Sequence, residues 1–229
     1  MNHLYEQLTA LKLTGFRDAL KKQLAQPGTY QELGFEERLS LLTAEELTCR
    51  ENRKAERLIK HARFRLNAEL SKLDYRNNRG LDRALIRSLS QGNWLTLKQN
   101  ILLTGATGSG KTFLACALGH NACRQGYKVY YYRLKALMEQ CYQGHADGRY
   151  SKLLTRLNNS DLLLLDDWGL EPLSSEQRSD LLEIVDLMYQ RGSIIVVSQL
   201  PVENWYKMIG DSTQDRKSTR LNSSHRCIS

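Results

Sequence analysis

The stretch "NILLTGATGSGKTFLACALGHNACRQG", residues 100–126, decides the fold. It opens on a short apolar run that ends in glycine. "GATGSGKT", Gly105 to Thr112, then fits G-x-x-x-x-G-K-[ST] at every fixed position. An apolar, helix-forming segment follows and closes at Gly126, the expected glycine beyond a helix C-terminus. Strand, glycine-rich loop and helix in that order are the context that a phosphate-binding loop requires. The chemistry explains the residue types. Gly105, Gly108 and Gly110 allow the backbone to wrap a phosphate closely, so Ala106, Thr107 and Ser109 can turn their N–H groups inward with them. The helix N-terminus adds positive dipole at the same point. Lys111 supplies a fixed cation for the β- and γ-phosphates, and the Thr112 hydroxyl suits a Mg²⁺ ion. The pattern therefore predicts ATP and Mg²⁺ as cofactors.

Working outward, "DLLLLDDWG" (161–169) reads as a buried strand with two acids at its carboxyl end. Ligands of open α/β sheets bind at that edge. Asp166 is expected to serve Mg²⁺, and Asp167 to orient and deprotonate the attacking water. The second acid favours hydrolysis over phosphoryl transfer to a small molecule. A small-molecule kinase is further disfavoured because no arginine-rich lid stretch lies near residue 147. "SIIVVSQLP" (193–201) is another apolar strand, ending in Ser198 and Gln199. Either can act as the polar sensor between the acids and the γ-phosphate, as in the class of P-loop ATPase with an extra strand between the P-loop and acidic strands. "KVYYYRL" (128–134) is β-rich, and "SSEQRSDLLEIVDLMYQRG" is a helix that Ser174 or Ser175 can cap. Strands alternating with helices indicate an α/β fold, a P-loop NTPase with a parallel sheet and helices on both faces.

The first 75 residues read instead as a small helical domain. Phe35, Leu39, Leu42, Leu47, Leu58, Ile59 and Phe64 are its candidate buried positions. Residues 76–97 read as a linker and 98–214 as the ATPase core. The net charge of +8 is local. Residues 50–87 hold twelve Lys/Arg against five Asp/Glu, whereas residues 1–49 are net acidic. Arg50, Arg53, Lys54, Arg57 and Lys60 recur every three or four residues, on one helix face, and such a stripe can track phosphates of DNA. Five cysteines without a C-x-x-C pair suggest reduced thiols of a cytoplasmic protein. No apolar run reaches the roughly 18 residues of a membrane span.

"FEERLSLLTAEELTCRENR", the P-loop stretch, "DDWGLEPLS" and "SQLPVENW" together resemble the IstB family. These are AAA+ ATP-binding helpers of insertion-sequence transposition, related to DnaC-type helicase loaders. The resemblance runs from about residue 4 to about 213. It implies ATP hydrolysis, self-association into an oligomer on DNA, and a transposase of the same insertion sequence as partner. By residue it assigns Gly105–Thr112 to ATP, Asp166 and Asp167 to metal and water, and Ser198/Gln199 to the sensor. A helicase loader is the alternative that shares the ATPase core. Trp168 stands where the family more often has Phe.

The family continues beyond "MIGDST" into a helix, an arginine that reaches the neighbouring subunit and a last sheet strand, none of which is recognisable here. The chain ends instead in "DRKSTRLNSSHRCIS", 215–229, with four basic residues against one acid. Its codons can be written as a string that resembles a common short-read sequencing adapter. The tail is therefore expected to be non-native and disordered, and the last sheet strand to be missing. That expectation leaves a further alternative, a truncated ATP-binding module with little hydrolysis.

Overall fold

A computed structural model of the chain describes residues 2–75, 82–205 and, as backbone, 225–228. Two compact units divide between Arg57 and Leu58.

The first unit is helical: α1 (Asn2–Ala10), α2 (Thr14–Ala25), α3 (Pro27–Tyr30) and most of α4 (Phe35–Ala62). Leu8, Leu42 and Ala55 are its buried apolar side chains, whereas Phe35 and Leu47, expected inside, are 78% and 63% exposed. Glu46 is buried as well and accepts from the Phe16 N–H at 3.0 Å and from Arg50 Nε at 2.7 Å. Burial pushes its carboxyl up, but these donors and the Gly15 N–H outweigh that and hold it below the ordinary range.

The second unit carries α5 (Arg83–Ser90), α6 (Asn93–Thr96), β1 (Asn100–Thr104), α7 (Lys111–Arg124), β2 (Val129–Arg133) and α8 (Leu134–Asp147). It continues through α9 (Tyr150–Asn158), β3 (Leu162–Trp168), α10 (Ser175–Met188), β4 (Ser193–Ser198) and β5 (His225–Ile228). Residues 83–96 are thus two helices and not linker. The Asp82 carboxylate caps the first by accepting from the Ala84 N–H at 2.8 Å. Residues 76–81 lie outside the described residues.

All strand pairs are parallel, in the order β2-β3-β4-β1-β5. The strand next to the P-loop strand on one side is therefore β4, and β3 with its acids is one further out. Period-two alternation assigns the sheet's two faces. Ile101, Leu103, Leu164 and Ile195 pack with α7 in one core. Leu102, Leu163, Leu165 and Val196 pack with α8, α9 and α10 in the other. Each such fully buried aliphatic side chain contributes about 1.5–3 kcal/mol of transfer free energy. Local signals agree with this scaffold. Gly126 takes φ +91° just beyond α7. Ser174 caps α10 through a reciprocal pair with Gln177, at 3.2 and 3.0 Å.

The expected gap beside β1 is corrected. Residues 225–228 of the tail form β5 there, with Asn100 paired to His225 and Leu103 to Ile228. Without β5 this edge of β1 would present an unpaired row of N–H and C=O groups, a template that an extended segment satisfies. The rest of the tail, 215–224 and 229, lies outside the described residues. Among the described residues Cys49, Cys116, Cys123 and Cys141 are free cysteines. No helix among the described residues is long and apolar enough to cross a membrane.

Candidate functional site

β1 delivers the chain to the loop at Gly105, and Gly105, Gly108 and Gly110 adopt φ of +147°, +79° and +92°. Those values lie where a side chain is strained, which is why the motif places glycine there. Gly110 is also the residue from which α7 starts. Lys111 folds back over the loop: Nζ donates to Gly105 O at 2.7 Å, Ala106 O at 2.6 Å and Ser109 Oγ at 3.2 Å. Three oxygens thus hold the ammonium where phosphate oxygens can replace them. Partial burial lowers its affinity for the proton, and the charge of Asp166 opposes that shift.

Thr112, next on α7, donates from Oγ1 to Asp166 Oδ1 at 3.2 Å. Asp166 is 1% exposed at the carboxyl end of β3. Its Oδ1 also accepts the Asp167 N–H at 2.9 Å, and its Oδ2 accepts the Tyr131 hydroxyl at 2.7 Å. Burial, and then this bond to Asp166, raise the Tyr131 pKa strongly, so the phenol stays a donor.

The two acids sit on a β-bulge. Between the pairs Leu165–Val196 and Trp168–Ser198, β3 spends one more residue than β4. Asp167 takes φ +59° within that step. A bulge re-aims a side chain, and consecutive acids here point to different partners. Asp167 Oδ2 accepts from Arg133 Nε at 2.6 Å, with Arg65 Nη1 3.9 Å away. The same pairing raises the Arg133 pKa, chiefly through the hydrogen bond.

Ser198 and Gln199 separate clearly. Ser198 is buried; its hydroxyl donates to Trp168 O at 2.9 Å and accepts the Leu200 N–H at 3.0 Å. Gln199 reaches the loop instead, where its Oε1 accepts from Thr107 Oγ1 at 2.7 Å. Trp168 packs against Trp205, ring centroids 5.1 Å apart, so this position serves the core.

The donor set fits ATP with Mg²⁺. Among the described residues no cluster of three His, Cys, Asp or Glu side chains can hold a metal by itself. A hydroxyl and one carboxylate, completed by phosphate oxygens and water, match the way Mg²⁺ is held in nucleotide sites.

A family model described as IstB-like ATP binding protein matches residues 6–217. The chain belongs to this IstB-like family. It is 46% identical over 200 residues to the insertion sequence IS1162 ATP-binding protein of Pseudomonas fluorescens, covering 87% of this chain and 86% of that one. It is 42% identical over 208 residues to the insertion sequence ATP-binding protein y4pL of Sinorhizobium fredii, covering 91% and 84%. Among solved structures it resembles the DnaC helicase loader at 24% identity and TM-score 0.59, covering 71% of this chain and 96% of that one. It also resembles AMPPCP-bound DnaA from Aquifex aeolicus at 23% and 0.60, covering 72% and 51%. At those identities the likeness shows the fold alone, the P-loop NTPase sheet with flanking helices.

In this IstB-like chain the structure brings Gly105–Thr112, Asp166, Asp167 and Gln199 into one site. Three side chains there have no signature in the motifs: Tyr131, Arg133 and Arg65. Two of them belong to "YYYR" (130–133), whose placement beside the acidic strand is the signal that could have found them. The basic stripe lies apart from these acids in the sequence and is uneven. All five side chains are exposed, although Arg50 is also engaged by Glu46 and Arg53 donates to Thr14 Oγ1.

Proposed function

We propose that this protein is an ATP-hydrolysing helper of DNA transposition, cytoplasmic, which self-associates on DNA with ATP bound and stimulates the transposase of its insertion sequence. The observation that carries the reading is the joining of the P-loop to the acid pair through Thr112 and Asp166, in a chain whose close relatives are named for insertion sequences. In this reading Gly105, Ala106, Thr107, Gly108, Ser109 and Gly110 cradle the phosphates with N–H groups, and Lys111 neutralises their charge. Thr112 and Asp166 hold Mg²⁺, which when bound polarises the phosphate oxygens. Asp167 accepts the proton of the attacking water, for which its carboxylate leaves Arg133. Gln199 is the sensor in place of Ser198. Its contact with Thr107 supports this, and the Ser198 hydroxyl is already spent on two backbone groups.

The helicase-loader reading has only fold likeness behind it. DNA contact is assigned to the exposed cations of α4. Reversing the charge of Arg50, Arg53 and Arg57 together is expected to weaken duplex binding. It should also flatten the slope of log affinity against log salt by up to about 0.9 per lost phosphate contact. Fluorescence anisotropy across a salt series reads both. An unchanged slope would reduce the stripe to a solvated helix face.

A further inference from the structure

We infer that Tyr131 is a positioning residue for the metal-binding carboxylate, holding Asp166 through one oxygen so that the other stays turned toward Thr112. The inference rests on the ATP and Mg²⁺ reading above. Asp166 is almost fully buried, and no cation lies within ion-pair distance of it among the described residues. A buried carboxylate in that position needs donors for its oxygens and groups that fix its orientation. Its two oxygens are not used alike. Oδ1 is shared between the Asp167 N–H and the Thr112 hydroxyl, and the latter bond, at 3.2 Å, is the longest of the three. Among the described residues Oδ2 receives only Tyr131, at 2.7 Å. The tyrosine therefore grips the oxygen that Thr112 does not touch, and it does not compete with a ligand gathered by Oδ1 and Thr112.

The sheet register makes this contact. Tyr131 pairs with Leu164, and Asp166 is the next residue of β3 on the same face. A phenol spans that diagonal step; a phenylalanine would fill the same space and leave the oxygen without its donor. Tyr130 and Tyr132 face the opposite core. The Tyr132 hydroxyl accepts from Arg156 at 2.6 Å and does not reach the acid. Partners that orient a metal ligand in this way are commonly worth ten- to hundredfold in metal affinity.

The experiment is a Mg²⁺ titration of the full chain with a fluorescent, non-hydrolysable ATP analogue, repeated in EDTA. It compares wild type, Tyr131→Phe, Tyr132→Phe and Asp166→Asn, with circular dichroism to verify folding. In Tyr131→Phe the Mg²⁺ midpoint should rise roughly tenfold or more, while affinity in EDTA stays at the wild-type value. Tyr132→Phe should leave the midpoint in place, and Asp166→Asn should remove the Mg²⁺ dependence. An unchanged midpoint in Tyr131→Phe beside a lost dependence in Asp166→Asn overturns the role of Tyr131 and leaves the metal reading standing. Equal weakening with and without Mg²⁺ overturns it too, because Tyr131 would then only support the fold. If Asp166→Asn itself leaves the dependence intact, the metal reading falls and takes the inference with it.

Discussion

Lys111→Ala is expected to abolish nucleotide binding. A hydrogen bond to a charged group is worth about 1.5–3 kcal/mol. An ammonium serving two phosphates therefore supplies about 3–6 kcal/mol, between roughly a hundred- and ten-thousandfold in affinity. The site geometry makes the loss local. Among the described residues Lys111 Nζ bonds only to oxygens of its own loop, at Gly105, Ala106 and Ser109. The substitution thus removes a cation from the loop without opening either face of the sheet. Isothermal titration with ATP and Mg²⁺, set beside a thermal melt, separates the two effects. A melting curve close to wild type with binding lost fits the account. Binding within a few-fold of wild type would move the nucleotide elsewhere.

Asp167→Asn is expected to lower ATP turnover by about 10²–10⁴-fold, the usual worth of a positioned general base. Affinity for ATP should stay within about twofold. The amide is nearly isosteric, and its oxygen can still accept from Arg133 Nε, so the bulge that carries it persists. Single-turnover hydrolysis at saturating ATP is the measurement, made on wild type and variant at equal site occupancy. An unchanged rate would return Asp167 to a structural role, as the partner of Arg133 and a strained step in β3. A loss of binding together with rate would mean that Asp167 supports the nucleotide rather than the water.

The legible part of the site was the part built from contiguous residues. Gly105 to Thr112 carry their own geometry, because each positive-φ position needs glycine and the loop leads straight into a helix. Four leucines followed by two acids announced β3 in the same way. What stayed hidden depends on register between distant segments. Nothing in "YYYR" indicates which tyrosine faces the acid; that follows from Tyr131 pairing with Leu164 rather than with a neighbour one residue along. Arg65, far from the motifs in sequence, becomes visible only once the chain has folded around α7. The bulge at Asp166 and Asp167 was equally unreadable, since a period-two pattern contains no sign of an extra residue. Helices α5 and α6 are too short to give a periodic signal, so their sequence resembles a linker. The N-terminal apolar positions were over-read for a different reason: a small helical unit cannot enclose a complete apolar stripe, and it leaves Phe35 and Leu47 outside.

The proposal that the protein assembles on DNA with ATP bound is tested most directly by anisotropy of a labelled duplex titrated with the full chain. The titration is made with ATP and Mg²⁺, without nucleotide, and in the Lys111→Ala background. The account predicts tighter binding with ATP than without, and no difference between the two conditions in Lys111→Ala. Equal DNA affinity of the wild type with and without ATP would contradict it.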